Sequence, residues 1–251
     1  MDEENQEIFE AKPTFVLPGD IVDPLKFYTQ GENESNISSV DKVIKLGPGL
    51  IQREDSIIAT AAGMLQHNYK DNRFWVDFNS KRYVPSTGDS VIGVVSKKFA
   101  ESFSVDVGAS VSASLSAYAF EGATKRNRPA VNVGDLVYVK VTLAHKDIEP
   151  EVEAVNSHTG RSEGFGPLKN GFAFKCSIGL CRSLLKPKCT VLEALGSQMA
   201  FEIAIGLNGC VWVSGKNTKE TILVRNAILN SEFLTDAIDC QRMVSLLIDD
   251  L

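Results

Sequence analysis

The sequence lacks long apolar runs and any cysteine framework. No stretch approaches the roughly 18 apolar residues that a membrane span needs, and residues 1–10 are too acidic and polar for a secretory or mitochondrial signal. The five cysteines are odd in number and form no Cys-x-x-Cys pair. We therefore expect reduced thiols in an intracellular compartment and no membrane contact.

The sequence also lacks the short motifs that carry most hydrolytic and nucleotide chemistry. It contains no Gly-x-Ser-x-Gly, no His-Glu-x-x-His and no phosphate-binding P-loop. Cys176, Cys181 and Cys189 lie at x4 and x7 spacings with His158 far away, which favours buried or incidental thiols over a zinc site. We predict no enzyme activity, no cofactor and no metal. A nuclease stays open only if carboxylates near the strands gather metal ions.

Charge is spread unevenly along this chain, whose formal net charge is −6. Residues 1–80 carry 7 Lys and Arg against 14 Asp and Glu, and residues 151–251 carry 10 against 11. Residues 81–150 carry 9 against 7 and are the only net-basic part. We therefore expect any phosphate contacts to lie in this middle part, and to be weak and salt-sensitive.

The N-terminal third combines polar segments with short strands. Residues 1–12 are acidic, have no periodicity and are predicted to be a disordered tail. Residues 13–80 contain short β-like runs separated by Gly and Pro turns, and we predict that they form a small β domain. The polar segment 29–39 is predicted to be a surface loop within this domain.

The next part is predicted to be a five-stranded OB barrel, residues 81–150. A Gly-Asp pair followed by an alternating strand occurs at Gly19-Asp20, Gly88-Asp89 and Gly134-Asp135. The glycine permits a positive φ in the turn, and the aspartate can accept a hydrogen bond from a nearby backbone N–H. The last two pairs enclose a segment of the right size for such a barrel. Together with the N-terminal β domain, this barrel makes the predicted chain mainly β up to residue 150.

Residues 151–251 change to an α+β pattern. Phe172–Ser177 is predicted to be a strand, two short helices surround Pro187, and Phe201–Val213 is predicted to be a hairpin followed by a helix at Thr218–Leu229. The Asn-Gly pair of the hairpin favours a type I′ turn with positive φ at both positions. The order β-α-α-β-β-α is that of one class of KH domain, an RNA-binding module.

Three small clusters of basic and aromatic residues lie in the net-basic segment. OB folds bind single strands by stacking bases on aromatic rings and following the backbone with Lys and Arg. A solvated loop remains the alternative for each cluster, but their grouping favours RNA contact. The predicted RNA-binding residues are Lys81, Arg82, Lys97, Lys98, Phe99, Phe103, Lys125, Arg126 and Arg128.

The predicted KH domain lacks the usual RNA clamp of its class. That clamp is a Gly-x-x-Gly loop between the first two helices, but this junction reads Lys186-Pro187-Lys188-Cys189. Without glycine the backbone cannot approach a phosphate in the usual way. The pattern Gly206-Leu207-Asn208-Gly209 lies instead in the hairpin, and we predict a structural role that places Trp212 against the neighbouring domain.

Several motifs, in their order along residues 13–230, resemble the cap subunits of the RNA exosome, and among them the kind with a Gly-x-Asn-Gly KH domain. The matching segments are Phe15-Val16-Leu17-Pro18-Gly19-Asp20, Lys45-Leu46-Gly47-Pro48-Gly49, Ser80-Lys81-Arg82-Tyr83-Val84-Pro85, Asn127-Arg128-Pro129, Val133-Gly134-Asp135-Leu136-Val137-Tyr138, Gly164-Phe165-Gly166 and Ala204-Ile205-Gly206-Leu207-Asn208-Gly209-Cys210-Val211-Trp212-Val213.

This resemblance implies a non-catalytic subunit that helps to hold a ring of RNase-PH-like proteins together. Such a subunit lines the RNA entrance and passes single-stranded RNA to separate 3′→5′ exoribonucleases, in the nucleus, nucleolus and cytoplasm. The expected partners are the ring subunits and other cap subunits. The residues expected at structural and interface positions are Pro18, Gly19, Asp20, Gly47, Pro48, Gly49, Gly206, Asn208, Gly209 and Trp212.

Two other functions stay open at this point. The chain could be an assembly scaffold whose barrel contacts only protein. It could also be a free-standing RNA-binding factor, although its acidic balance disfavours that alternative.

Overall fold

The structure is a computed structural model that forms two compact units, Met1–Asn79 and Ser80–Leu251. The predicted tail at 1–12 and the predicted loop at 29–39 lie outside the described residues. The described residues are 14–23, 43–68, 71–145, 147–156, 159–234 and 236–249.

The first unit is built from short strands in two sheets. Its strands are β1 (Thr14–Val16), β2 (Ile21–Val22), β3 (Lys45–Leu46), β4 (Leu50–Arg53), β5 (Ser56–Ala59), β6 (Gly63–Asn68) and β7 (Arg73–Asp77). One sheet has the order β1-β6-β7-β3 and the other β2-β5-β4. On β7, Phe74 and Val76 are buried while Arg73 and Asp77 are exposed, so the alternation of the sequence follows the pleat of the strand.

The second unit begins with the predicted five-stranded barrel. Its strands are β8 (Ser90–Lys98), β9 (Ser102–Asp106), β10 (Ala113–Ser116), β11 (Leu136–His145) and β12 (Ile148–Glu153). The sheet closes because β12 pairs with β10 in parallel and with β11 antiparallel. Inward-facing Val95, Val105, Leu115, Val137 and Val139 are almost fully buried and fill the interior. The OB fold is confirmed.

The barrel sheet extends past the boundary that the sequence placed at residue 150. That boundary falls inside β12, and β13 (Gly166–Leu168) adds to the edge of β11. Only Pro150 and Val152 of β12 are buried, so the strand carries little hydrophobic signal. The segment from Gly160 to Gly171, which is rich in glycine, also gives no strand pattern, although part of it pairs here.

The C-terminal part has the order of elements predicted for a KH domain. It contains β14 (Phe172–Lys175), α1 (Ile178–Leu184), α2 (Thr190–Gln198), β15 (Phe201–Gly206), β16 (Cys210–Gly215) and α3 (Thr218–Asn230), followed by α4 (Ala237–Asp249). The sheet order is β14-β16-β15. Buried Leu223, Val224, Ala227 and Ile228 form the apolar stripe of α3 and join the core beneath the sheet. Among the described helices none is long and apolar enough to span a membrane.

The Gly-Asp turns share one geometry. The glycines Gly19, Gly88 and Gly134 have φ of +98°, +95° and +94°, a region that a β-carbon disfavours. Asp20 Oδ2 accepts the N–H of Leu17 at 2.8 Å, and Asp135 Oδ2 accepts the N–H of Asn132 at 2.8 Å. Each carboxylate therefore closes its turn on the residue three positions earlier.

The turn of the β15–β16 hairpin differs from the predicted type I′ turn. Gly206 pairs with Cys210, so the loop has three residues, Leu207, Asn208 and Gly209. Of these only Gly209 has positive φ, at +78°. This arrangement fits a type I turn followed by a left-handed glycine, and it frees the Asn208 side chain to point away from its own turn.

Asp89 differs from the other turn aspartates because it also binds Tyr83. The Tyr83 hydroxyl donates to Asp89 Oδ2 at 2.8 Å, and the ring is buried in the barrel core. Burial raises the pKa of the Asp89 carboxyl, while the hydrogen bond from Tyr83 opposes that rise. Burial also raises the pKa of the Tyr83 hydroxyl, so it stays a donor.

We predict that Tyr83→Phe lowers the free energy of unfolding by about 2 kcal/mol at neutral pH, since a partly buried carboxylate loses its donor. The Asp89 pKa then rises further above its ordinary value of 3.8, so the deficit grows as pH rises through the folded-state pKa and shrinks below 3.8. Urea unfolding of both proteins at neutral pH and at a pH below 3.8 measures this difference.

The control is Tyr118→Phe, because that hydroxyl reaches Glu101 on an exposed surface. We expect it to change stability by less than about 0.5 kcal/mol. An equal loss in both variants, or a deficit of Tyr83→Phe that does not depend on pH, would contradict the assigned role of Asp89.

Candidate RNA-binding surface and the barrel–KH junction

One end of the barrel gathers several of the predicted RNA-binding residues. The turn between β8 and β9 presents Phe99, whose side chain is 57% exposed. Arg128 Nη1 donates to the Ala100 carbonyl at 2.6 Å, and the Tyr118 hydroxyl donates to Glu101 Oε1 at 3.3 Å. We call this surface, made by residues 97–101 with Tyr118 and 125–128, the barrel pole.

Two predicted residues are tied into the barrel itself. Phe103 is only 4% exposed and packs edge-on against Phe120, with ring centroids 6.2 Å apart. A buried ring cannot stack on a base, so the prediction for Phe103 is wrong: the strand alternation turns its side chain inward. Lys98 Nζ donates to the Val131 carbonyl at 2.8 Å and lies 5.8 Å from the Phe103 ring centroid, which anchors this cation at the rim.

The remaining cations of the pole are exposed. Lys97 lies at the end of β8, and Lys125 and Arg126 lie in the turn that the Thr124 N–H closes on the Asn127 carbonyl at 2.9 Å. Because Arg128 binds the Ala100 carbonyl, this turn lies beside the β8–β9 turn within the barrel pole. Exposed cations beside an exposed ring are the components with which single-stranded nucleic acid is bound.

Lys81 and Arg82 lie elsewhere. They are exposed and precede Tyr83, which is fixed to Asp89 beside the start of β8. A strand of this length spans about 26 Å, so these two cations are separated from Phe99 by most of the barrel height. The structure therefore divides the predicted set into a pole and a second, smaller basic site.

Tyr118 is a residue of the barrel pole that the sequence pattern does not predict. It is 36% exposed and adds a second ring to the pole. Tyr118 and Phe120 lie in the turn after β10, where Phe120 is buried in the core and Tyr118 faces outward. Because residues two apart share one face of a strand, no alternation pattern distinguishes these two rings in the sequence.

The barrel packs on the sheet of the KH domain through an apolar junction. Ile92 from the barrel meets Ala204 and Trp212 from the KH sheet, and all three are buried. Trp212 lies opposite Ala204 on one side and Ala173 on the other, so two small side chains leave room for its indole. These contacts lie on the face of the sheet opposite to the helices.

The hairpin turn adds polar contacts to this junction. Asn208 Nδ2 donates to the Ile92 carbonyl at 2.7 Å and to the Val107 carbonyl at 2.9 Å, and Asn208 Oδ1 accepts the Ile92 N–H at 3.3 Å. The Leu207 N–H donates to the Ser90 carbonyl at 2.8 Å. One carboxamide thus satisfies backbone groups of two barrel segments, because it carries both donors and an acceptor.

Gly206 is required by the same geometry. A β-carbon built there would collide with Asn208 Oδ1 and would lie 2.8 Å from the Ile92 backbone nitrogen. Gly206, Asn208, Gly209 and Trp212 therefore all lie at the barrel–KH junction. The residues of the Gly-x-x-Gly pattern pack against the barrel, so they are not available to clamp RNA.

The usual position of the KH clamp has a different character here. Lys186, Pro187 and Lys188 are exposed between α1 and α2, and Lys188 adopts φ of +63°. The chain turns without glycine, so side chains project where a bare backbone would meet a phosphate.

The two turns predicted as interface motifs in the first unit lie together. The Gly19 N–H donates to the Ala59 carbonyl at 2.8 Å, and the Thr60 N–H donates to the Gly49 carbonyl at 2.8 Å. The end of β5 therefore holds both turns side by side. The residues brought together in this way are Pro18, Gly19, Asp20, Gly47, Pro48 and Gly49.

An apolar row crosses the sheet next to these turns. Ile21 and Ile51 each pair with Ile58, so the three side chains share one face. Ile21 is 72% exposed and Ile51 is 46% exposed. We call these three residues the isoleucine row. These exposed apolar side chains form a small contiguous group on one face of the sheet.

The described part of the chain shows no cluster of three or more His, Cys, Asp or Glu side chains that could hold a metal ion. The turn aspartates Asp20 and Asp135 instead bind backbone N–H groups.

Comparison with known families matches three consecutive parts of the chain. Residues 44–82 match the sequence model described as "Exosome complex exonuclease Rrp40 N-terminal domain". Residues 83–166 match "Exosome complex component RRP40, S1 domain", and residues 171–219 match a KH domain.

Two relatives named as exosome complex component RRP40 match this chain over most of their length. The exosome complex component rrp40 of Schizosaccharomyces pombe is 45% identical over 218 residues, covering 84% of this chain and 90% of that protein. RRP40 of Drosophila melanogaster is 42% identical over 218 residues, covering 87% and 89%. A crystal structure of an exosome complex RNA-binding protein has a TM-score of 0.55 at 22% identity, covers 67% of this chain and 97% of its own, and supports the fold.

We predict that Asn208→Ala lowers the free energy of unfolding of the second unit by about 3 kcal/mol, because two carbonyls and one N–H in the barrel lose their partner. Chemical denaturation followed by tryptophan fluorescence in a Trp75→Phe background, where Trp212 is the remaining tryptophan, measures the change.

Asn132→Ala serves as the matched control, since Asn132 is exposed and its backbone N–H, not its side chain, binds Asp135. The control is expected to stay within about 0.5 kcal/mol of the wild type. Equal stability of Asn208→Ala and Asn132→Ala would show that the carboxamide contributes nothing to the junction.

Proposed function

The chain belongs to the RRP40 family of exosome complex components, and we propose from this premise that it is a non-catalytic, RNA-binding cap subunit of the RNA exosome. In this role it stabilises a ring of RNase-PH-like subunits. It also guides single-stranded RNA into the central channel, where other subunits degrade or process it, including ribosomal RNA, from the 3′ end.

The observation that carries this proposal is the barrel–KH junction. Asn208 and Trp212 bind the KH domain to the barrel, so the two RNA-binding modules form one body with the hairpin motif buried between them. The exposed ring and cations of the barrel pole are then the contacts left for RNA. A rigid body with shallow, sequence-tolerant contacts suits a subunit that positions RNA and leaves cleavage to others.

The first unit is proposed to make the contact with the ring. The isoleucine row and the adjoining turns at Gly19 and Gly49 provide an apolar surface beside tight backbone turns. Burial of Ile21 and Ile51 against a partner would remove apolar area from water, which stabilises a complex. The net charge of this part opposes RNA binding there.

The proposed partners, cellular location and RNA affinity follow from the same role. The proposed partners are the ring subunits and the other cap subunits, with exoribonucleases associated indirectly. The proposed sites of action are the nucleus, including the nucleolus, and the cytoplasm. Because the isolated chain is acidic, we expect it to bind RNA weakly and the assembly to bind more tightly through effective concentration.

We predict that Phe99→Ala weakens RNA binding by the assembled particle about tenfold, which corresponds to the loss of one stacked base. Crosslinking and filter binding with single-stranded RNA measure the effect. The control is Phe172→Ala, because Phe172 is similarly exposed, at 50%, but lies on the KH sheet.

Charge reversal separates the main proposal from the scaffold alternative. Changing Lys97, Lys98 and Lys125 to Glu is expected to lower RNA protection and to reduce its salt dependence. Unchanged protection in this variant and in Phe99→Ala would favour a scaffold whose barrel contacts only protein.

We predict that Ile21→Asp prevents recovery of the ring subunits when the tagged chain is purified from its own cells, because a charge would be buried at the contact. Mass spectrometry of the co-eluting proteins measures this. Ile148→Asp is the control, since Ile148 is 57% exposed on the barrel.

Both variants are expected to fold, because the substituted side chains are exposed. Wild-type protein that elutes alone, or with translation proteins, would favour a free-standing RNA-binding factor. Full recovery of the ring by Ile21→Asp would place the contact elsewhere on the chain.

A further inference from the structure

Two cysteines of the KH domain lie in direct contact. Cys176 follows β14 and Cys181 lies in the first part of α1, and their sulfur atoms are 3.3 Å apart. Either sulfur can donate the hydrogen bond between them. A disulfide bond requires about 2.05 Å, so an approach of little more than 1 Å would join them.

The surroundings of the pair distinguish the two sulfurs. Cys181 is buried, whereas Cys176 is partly exposed and open to a small oxidant. Cys176 is held beside the junction turn because its N–H donates to the Gly209 carbonyl at 2.9 Å. Ser177 caps α1 by accepting the Leu180 N–H at 3.0 Å, which fixes the backbone between the two cysteines.

The other thiols are less suited to the same reaction. The hydrogen bond between the paired thiols raises the pKa of Cys176 and lowers that of Cys181, whereas burial raises the pKa of the Cys210 thiol to about 11. Cys210 therefore lacks the sulfur partner that makes one thiol of the pair more acidic. Cys240 is buried in the helical core, and Cys189, at the start of α2, is partly exposed. Among the described residues the only sulfur–sulfur hydrogen bond is that of Cys176 and Cys181.

We propose that Cys176 and Cys181 form a reversible disulfide when the protein meets a peroxide, and that this pair is a site of oxidative modification. Intracellular disulfides of this kind are typically transient and redox-sensing.

The chemistry balances with peroxide as the only oxidant. Cys181 in its thiolate form accepts the Cys176 thiol proton as Cys176 attacks one peroxide oxygen and the O–O bond breaks. Cys176 becomes a sulfenic acid, and the displaced hydroxide takes a proton from solvent and leaves as the first water. Cys181 then attacks that sulfur, the S–O bond breaks, and the second water leaves as the S–S bond forms. The two thiols lose two electrons and two protons, and both waters take them up. A dithiol reductant reverses the step by thiol–disulfide exchange.

The crosslink would act on the segment that holds the junction. It would join the end of β14 to α1 covalently. Cys176 also binds the carbonyl of Gly209, which follows Asn208 in the hairpin turn. Oxidation would therefore restrain the hairpin that binds the KH domain to the barrel.

The test treats the purified full-length chain with hydrogen peroxide, denatures it and alkylates the remaining thiols. We expect two of the five cysteines to resist alkylation, with peptide mapping that joins Cys176 to Cys181 and full recovery of five after dithiothreitol. Cys176→Ser is expected to leave no protected pair, and Cys189→Ser is expected to protect the same pair as the wild type.

Three outcomes would overturn the proposal. One is the alkylation of all five thiols after peroxide treatment. Another is a mapped disulfide that includes Cys189, Cys210 or Cys240. The third is oxidation of Cys176 to a sulfinic acid that dithiothreitol does not reverse. Mapping of the wild-type protein decides among them even if Cys176→Ser is unstable.

Discussion

The side-chain amide of Asn208 is the contact on which the organisation of the second unit depends. It points away from its own turn and carries two donors and one acceptor, which match two carbonyls and one N–H of the barrel. A carboxylate at this position would face the same carbonyls with lone pairs only, and an aliphatic side chain would leave all three groups unpaired. The junction thus selects the amide by its hydrogen-bonding capacity.

This contact changes what the KH domain can do. A Gly-x-x-Gly pattern in a loop between two helices brings bare backbone to a phosphate, whereas here the glycines of the pattern bring backbone to backbone. Gly206 leaves space for Asn208 and Ile92, and Gly209 allows the left-handed turn. The module keeps the KH order of elements while its most recognisable motif serves the connection between domains. RNA contact therefore falls to the barrel pole in our proposal.

Charge and exposure divide the remaining work between the two units. The first unit is acidic and carries the exposed isoleucine row, while the barrel carries exposed cations around Phe99. In our proposal, a protein partner and an RNA partner therefore contact surfaces of different chemistry. Each surface is small, which fits a subunit that acts within an assembly.

The sequence by itself determined the order of domains and most of their elements, because hydrophobic alternation, Gly-Asp turns and helix periodicity are local signals. It also indicated a structural role for Gly206-Leu207-Asn208-Gly209, because the pattern fell in a hairpin. Only the tertiary structure decided which side chains face outward. Phe99 and Phe103 look alike in the sequence, but one is exposed and the other is buried, since barrel closure turns alternate residues of β9 into the core. The polar strand β12, the carbonyls that Asn208 binds, and the meeting of Cys176 with Cys181 likewise depend on contacts between segments, which a local pattern does not encode.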